Sequence, residues 1–444
     1  MTPLRRNQPR AAPARLASSC HKGWLSLRRR RCRSTTNRRM KKDRNGAMMM
    51  GLDDDVLSSV FTHISEAGEV VRCAATCRQW NRAIADSAVV IGRSLRLPVL
   101  PRLALGFFHQ EATSKRKRST EDQLCRFVPT AAGVRLLGPS FRPFEDGELL
   151  EMSRPVTSRN GRVVLELQRE GHADALKLCV WNPMTGDVAM LPPLGGDDKP
   201  GAFACALLTA DDLDPLRCPS ATFFRVLIVY NQRAFTVLRS YSSDTGCWST
   251  ESRRSGPKMS SYTLQQLRQS VVHDGVAYWP MAHTALAVRI DTPEPKEVDM
   301  PPAIRNAPRH NHLLGVTADG NLSFIVTSLY HDGSAGVSSS DCLAVGSNGS
   351  LTNEPVDECT WRVRSQELRV HHVDSINLRW FCERSGMLFF TVSAKGSSTP
   401  GCYVLNIAAK ELEKVADDVD CSSWRNFVGY EMDTASYLAS LACH

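Results

Sequence analysis

The period of the apolar positions changes near residue 100. Before it, Val56, Leu57, Val60, Phe61 and Ile64 recur at i, i+1, i+4, i+5 and i+8, one stripe along a helix. Asp53, Asp54 and Asp55 precede that stripe, offering an N-cap and first-turn negative charge that suits the helix dipole. Gly68 marks a break. Val70, Val71, Ala74 and Ala75 form a second short stripe, and Trp80 with Ile84 a third. Three short helices are expected between residues 52 and 91. Such a module buries little apolar surface by itself and needs a neighbour.

Beyond residue 100 the runs are short and strand-like: Val163–Leu167, Leu176–Trp181, Phe223–Tyr230, Phe235–Leu238, Val276–Trp279, Leu286–Ile290, Leu322–Thr327, Met387–Val392 and Tyr403–Ile407. Turn pairs separate them, at Asn160-Gly161, Thr185-Gly186, Thr245-Gly246, Asp274-Gly275, Asp319-Gly320 and Ser385-Gly386. One short helix is expected near Leu264–Val271. A degenerate unit of strand, polar turn and return strand recurs every ~50–60 residues, near the kelch-type period. The expected fold is therefore a small all-α segment of three short helices followed by an all-β propeller of about six to seven four-stranded blades, which closes strand edges into a ring.

Charge changes this picture only at one end. The net charge is +9, but residues 1–47 hold 15 Lys and Arg against the single acid Asp43, so the remainder is net acidic. The pI of 8.9 thus describes residues 1–47 and not a basic face on the folded part. That segment reads as disordered, because like charges repel and little apolar surface is available to bury. Its composition fits a solvated tail, a nuclear-import or nucleic-acid patch through Arg28–Arg31 and Arg33, or an organelle transit peptide. Translation starting at Met48, Met49 or Met50 would omit it.

The 15 cysteines are odd in number and form no C-x-x-C pair, which suits reduced thiols in the cytoplasm or nucleus. No apolar run reaches the ~18–20 residues of a membrane span, and no secretory h-region is present. Enzyme motifs are absent: no G-x-S-x-G elbow, P-loop, H-E-x-x-H or G-x-G-x-x-G. The histidines 310, 312, 371 and 372 lack the Cys or carboxylate spacing of a metal site. Lys115-Arg116-Lys117-Arg118 has no interleaved aromatic residues, so a nucleic-acid partner is not expected.

Two stretches carry a family resemblance. Asp54-Asp55-Val56-Leu57-Ser58-Ser59-Val60-Phe61-Thr62-His63-Ile64, with Val70-Val71-Arg72-Cys73-Ala74-Ala75-Thr76-Cys77-Arg78-Gln79-Trp80-Asn81-Arg82-Ala83-Ile84-Ala85-Asp86, resembles the F-box of the large plant F-box families. Leu178-Cys179-Val180-Trp181-Asn182-Pro183-Met184-Thr185-Gly186, Leu191-Pro192-Pro193 and Ser423-Trp424-Arg425-Asn426-Phe427-Val428-Gly429-Tyr430-Glu431 resemble the F-box-associated, kelch-like propeller of such proteins. One departure stands at the start: Gly51-Leu52-Asp53 replaces the usual Leu-Pro, so Leu52 can supply an apolar contact without the rigid proline.

Three parts are expected: a disordered basic tail over 1–47, outside the resemblance, and, as the resemblance implies, an F-box over 48–92 and an F-box-associated propeller over 100–442. It implies a non-catalytic, substrate-recognition subunit of a cullin-RING (SCF-type) ubiquitin ligase. The F-box would bind the adaptor subunit, the cullin would be reached indirectly, and the propeller would hold an unidentified target protein. The candidate adaptor contacts are Leu52, Val56, Val70, Val71 and Trp80. Loops holding Arg159, Arg233, Trp279 and Trp380 are candidates for the target face. No cofactor, metal or membrane is implied. A non-ligase scaffold and a nucleic-acid-binding protein acting through its basic tail stay open as alternatives. The ligase reading requires that the helices keep an apolar face uncovered.

Overall fold

The computed structural model describes residues 53–64, 67–95, 103–110, 125–137, 153–167, 176–194, 200–212, 222–267, 269–281, 284–289, 295–299, 312–316, 322–329, 335–342, 361–363, 373–394, 401–417 and 427–441. The expectations for residues 1–47, Met48 to Met50, Leu52, the cluster at 115–118, the turn at 319–320 and the histidines 310, 371 and 372 lie outside these.

The chain opens with four short helices: α1 (Asp54–Thr62), α2 (Ala67–Thr76), α3 (Arg78–Asp86) and α4 (Ala88–Ser94). Asp53 holds the N-cap position of α1 without a side-chain cap bond, and its carbonyl accepts from the Leu57 N–H at 3.0 Å. Gly68 does not break the run, because it lies in the first turn of α2. The break comes earlier. The N–H groups of His63 and Ile64 reach back three residues, to the carbonyls of Val60 and Phe61, so the last turn of α1 tightens and stops. The fourth helix was not among the three expected, since the apolar run at 88–91 is too short to show a period.

The strands follow. A first pair, β1 (Ala104–Gln110) and β2 (Cys125–Pro129), precedes helix α5 (Ala131–Leu137). The first blade is β3 (Ser153–Arg159), β4 (Arg162–Leu167), β5 (Leu178–Trp181) and β6 (Val188–Met190). The second is β7 (Phe203–Thr209), β8 (Phe224–Asn231), β9 (Thr236–Ser242), β10 (Cys247–Trp248) and β11 (Ser252–Arg253), with α6 (Ser261–Gln266) after it. The third is β12 (Val271–His273), β13 (Val276–Pro280), β14 (Thr284–Arg289) and β15 (Pro295–Asp299). The fourth is β16 (His312–Val316), β17 (Leu322–Leu329), β18 (Ala335–Cys342) and β19 (Trp361–Val363). The fifth is β20 (Val373–Cys382), β21 (Met387–Ala394), β22 (Gly401–Asn406) and β23 (Glu411–Ala416). Then come β24 (Phe427–Glu431) and α7 (Thr434–Leu441).

Each of the nine apolar runs read from the sequence overlaps a strand. At Asn160-Gly161 and Asp274-Gly275 both turn residues have positive φ (47° and 76°, 47° and 70°), the two-residue hairpin geometry that matches strand twist. The short helix sits earlier than expected and ends before Val271, which belongs to β12. The Ser260 hydroxyl fixes its start by accepting from the Thr263 N–H at 2.9 Å.

Each blade is antiparallel, and its first strand lies nearest the axis. This follows from which strands meet: β24 with β3, β3 with β7, β12 with β16, β16 with β20, and β20 with β24. A shared apolar cluster, including Leu208 of β7 with Val272 and Trp279, joins the second and third blades. The result is a β-propeller with five blades of four or more strands among the described residues. The expected count of six to seven is not reached there. Between the fifth and first blades stands a three-stranded sheet in the order β2-β1-β24. Its register pairs Phe107 with Gly429 and Phe108 with Val428, so strands from before the first blade and after the fifth close the ring together.

The helices are not a separate body. Leu57, Phe61, Val70, Ile84 and Ile91 share one core with Tyr437 and Leu438 of α7, Leu105 and Phe108 of β1, and Leu165 and Trp181 of the first blade. Helix α7 is the bridge, packing on α3 and α4.

Candidate functional site

Two places carry the functional argument: the outward face of the helices and the mouth of the ring from which α7 departs.

On α1 the broad apolar stripe divides. Leu57 and Phe61 point inward and are buried, whereas Val56 and Val60, one turn apart, are 46% and 51% exposed. Val89 and Val90 on α4 are 49% and 60% exposed, beside buried Ala88 and Ile91. A stripe of five positions is wider than one packed face, and the excess looks outward. The candidate contacts therefore separate. Val56 is exposed. Val71 and Trp80 are half-buried, and the Trp80 ring meets Phe61 edge-on with centroids 5.5 Å apart. Val70 has no exposed surface and is a core residue of the helices. Leu52 lies outside the described residues. Val60, Val89 and Val90 were not singled out from the sequence; the excess width of the stripe was the available signal for Val60.

The target-face candidates divide as well. Trp279 and Trp380 are on strands β13 and β20, not loops, and both are buried. An indole carries a large apolar area that inner strands can cover, so a tryptophan in an apolar run is better read as core. Arg233 is exposed in the turn between β8 and β9. Arg159, the last residue of β3, sits at the centre of a charge cluster.

That cluster lies at the far ends of the inner strands. The Arg159 guanidinium donates through Nε and Nη2 to Asp212 Oδ1 at 2.8 and 2.7 Å, and through Nη1 to Glu383 Oε2 at 2.8 Å. Asp212 follows β7, and its other oxygen accepts from the Thr209 N–H at 2.8 Å. Glu383 follows β20. Glu431, at the end of β24, accepts from the Asn160 N–H at 3.1 Å and from the Cys382 thiol at 2.9 Å. Asn160 in turn donates through Nδ2 to Thr209 Oγ1 at 2.6 Å. Groups from the first, second and fifth blades and the closing sheet thus converge on one guanidinium. A cavity of about 30 Å3, room for a water molecule, adjoins Arg159, Gln269, Glu383 and Glu431.

The electrostatics follow from burial. Burial alone would raise the Asp212 carboxyl, but the two bonds from Arg159 outweigh it and hold it below the usual carboxylate range. Glu383 has one such bond, and burial wins: its carboxyl is pushed up to about 7, with Glu431 and Asp212 adding to the rise. Burial disfavours the charged Arg159, but its acidic neighbours overcome this and keep it protonated. Among the described residues no group of three or more His, Cys, Asp or Glu has metal-site geometry.

Comparison with known proteins adds a family. The model described as "Domain of unknown function (DUF7595)" matches residues 117–442. The chain belongs to the DUF7595 family. A second model, described as F-box-like, matches residues 54–90, the first three helices and the start of α4. The DUF7595 chain thus carries an F-box-like domain ahead of its ring. No curated protein matches it.

Among solved structures, it is similar to a putative 6-phosphogluconolactonase from Bacteroides uniformis ATCC 8492, at 11% identity over 74% of this chain and 98% of that one, with a TM-score of 0.31. It is similar to the WD40 domain of SCAP from fission yeast at 10% identity, over 59% and 63% of the two chains, with a TM-score of 0.28. It is also similar to a post-proline cleaving enzyme from Rickettsia typhi at 10% identity, over 86% and 60%, with a TM-score of 0.31. At these scores the likenesses carry no argument about this chain. Among the described residues no helix is long and apolar enough to cross a membrane.

Proposed function

We propose that this protein is the substrate-recognition subunit of a cullin-RING ubiquitin ligase of the SCF type. Its F-box-like helices dock on the adaptor subunit, and its ring holds the target. The observation that carries this reading is the divided stripe of α1. The inward half is covered by α3 and α4, and the outward pair Val56 and Val60 stays uncovered, as an adaptor-binding face needs. The docking set on this reading is Leu52, Val56, Val60, Val71 and Trp80, with Val70 supporting it from below. The subunit itself is non-catalytic. It holds target lysines near a charged ubiquitin carrier, so that a bimolecular encounter becomes effectively intramolecular.

The finer features belong to the same proposal. The ring is of kelch-like, plant-family type, with the three-stranded sheet counted as a sixth blade. On this reading the chain divides into 1–47, 48–92 and 100–442, and it works in the cytoplasm or nucleus.

The test is capture of a recombinant adaptor–cullin pair by the full chain and by a Val56→Asp/Val60→Asp variant. Binding of both partners by the wild type, lost in the variant at unchanged thermal stability, supports the reading. Binding of the adaptor without the cullin points to the scaffold alternative. Equal capture by both chains removes the proposed face. Deleting the helices is a poorer test, because it would strip the cover from α7.

A further inference from the structure

We propose that the charge cluster at the mouth of the ring is a proton-operated clasp that sets how firmly α7, and with it the F-box-like helices, is held on the ring. This goes beyond the adaptor reading and does not depend on it.

The geometry supplies a continuous path. Glu383 occupies the turn between β20 and β21. Its neighbour Arg384 donates through Nη1 to Thr434 Oγ1, the first residue of α7, at 3.4 Å. On the other side of the cluster, the Glu431 carbonyl accepts from the Gly161 N–H at 3.1 Å. Two residues later, Asp433 caps α7, accepting from the Ser436 N–H at 2.7 Å and from its hydroxyl at 2.6 Å. Gly161 is fixed in this arrangement. Its φ is 76°, and a Cβ there would run into Asp433. A change in the cluster therefore reaches the helix start from two directions.

The cluster also contains one acid too many. Around Glu383 stand Arg159 from β3, Asp212 beyond β7, Glu431 from β24, and Cys382, Arg384 and Arg379 on its own hairpin. Arg159 saturates Asp212 with two bonds and gives Glu383 one. With Glu383 protonated, the repulsion among the three carboxylates is relieved. With Glu383 ionised, a third negative charge sits in a part-buried site beside two others.

The direction of the response follows. Burial raises the folded carboxyl of Glu383 to about 7, above its ordinary value, so the folded state holds a proton that the open state releases. Its contribution to closure is full below the ordinary carboxylate range and is lost as pH rises through 7. The clasp is tight at pH 6 and looser at pH 8.

The experiment is amide hydrogen exchange on the full chain at pH 6 and pH 8, corrected for intrinsic rates and read by peptide mass spectrometry. In the wild type, exchange of peptides covering Met387–Ala394 and Thr434–Leu441 should speed up about threefold or more at the higher pH, while peptides of β13 and β14 do not change. In Glu383→Gln, which keeps an acceptor for Arg159 but cannot ionise, the local pH step should vanish. A step of equal size in both proteins overturns the proposal. Should the variant fail to fold, the wild type still decides: no step, or one spread evenly over all blades, overturns it.

Discussion

Asn81 on α3 donates a hydrogen bond from Nδ2 to the carbonyl of Leu441 in α7 at 3.3 Å, across a sequence separation of 360 residues. It joins the F-box-like helices to the helix that leaves the ring. The same contact surface holds Tyr437 and Leu438, both buried, against α3 and α4. The two matched domains therefore share one packed seam.

Leu438→Ala should show this. The side chain has no exposed surface, so its truncation should cost about 2–5 kcal/mol. Urea unfolding followed by helix and tryptophan signals should shift to a lower midpoint together in both signals. Separate transitions would show that the seam does not couple the halves.

The outward valines make the opposite forecast. Val56→Asp/Val60→Asp alters exposed positions and should change stability by less than about 0.5 kcal/mol. Adaptor affinity, measured by calorimetry, should fall at least about tenfold, or ~1.4 kcal/mol.

The helical module illustrates what the sequence makes legible. The periodic runs of α1 and α3 were readable because an apolar residue returns each turn. The nine strand runs were readable because Gly-containing turns bracket them. Burial side was harder. Val56 and Leu57 are adjacent in one stripe, yet only Leu57 is covered, and which is covered depends on how α3 and α4 fold back on α1. Trp279 and Trp380 read as candidate contacts, but the inner strands needed their bulk. The cluster around Arg159 could not be read locally. Arg159, Asp212, Glu383 and Glu431 sit up to hundreds of residues apart and meet only because the ring brings the ends of its inner strands to one mouth.

Arg159→Met tests that convergence. Removing Arg159 takes the hydrogen-bonded cation from Asp212 and Glu383, at a cost of about 3–5 kcal/mol. The loss should be greater at pH 8 than at pH 5.5, because protonation at the lower pH relieves the abandoned acids. Chemical unfolding at both values measures it, and an equal loss at both would mean the arginine acts through packing alone.

Gly429→Ala should be severe for a steric reason. A Cβ at this position in β24 would enter the Trp380 ring, whose indole is buried in the neighbouring inner strand. Overpacking of this kind costs about 1–3 kcal/mol or more. A lowered thermal midpoint with an otherwise native spectrum is expected.

Thiol labelling gives a final check. Cys77 and Cys247 are exposed, while Cys125, Cys179, Cys205, Cys382 and Cys402 are buried. Burial pushes the Cys179 thiol up to about 12 and raises Cys125, Cys205 and Cys382 as well, so these stay protonated and unreactive. Mapped alkylation of the native protein should mark the first pair at once and the buried five only after unfolding.

The pairing of β1 with β24 has a consequence for how the protein comes to be made. Five blades emerge from the ribosome before the strand that seals them, and until residues 427–441 are synthesised β1 waits without its inner partner. A message cut short just ahead of that point yields a product whose circle cannot shut. Such a product would present raw strand edges to the cell's quality-control machinery.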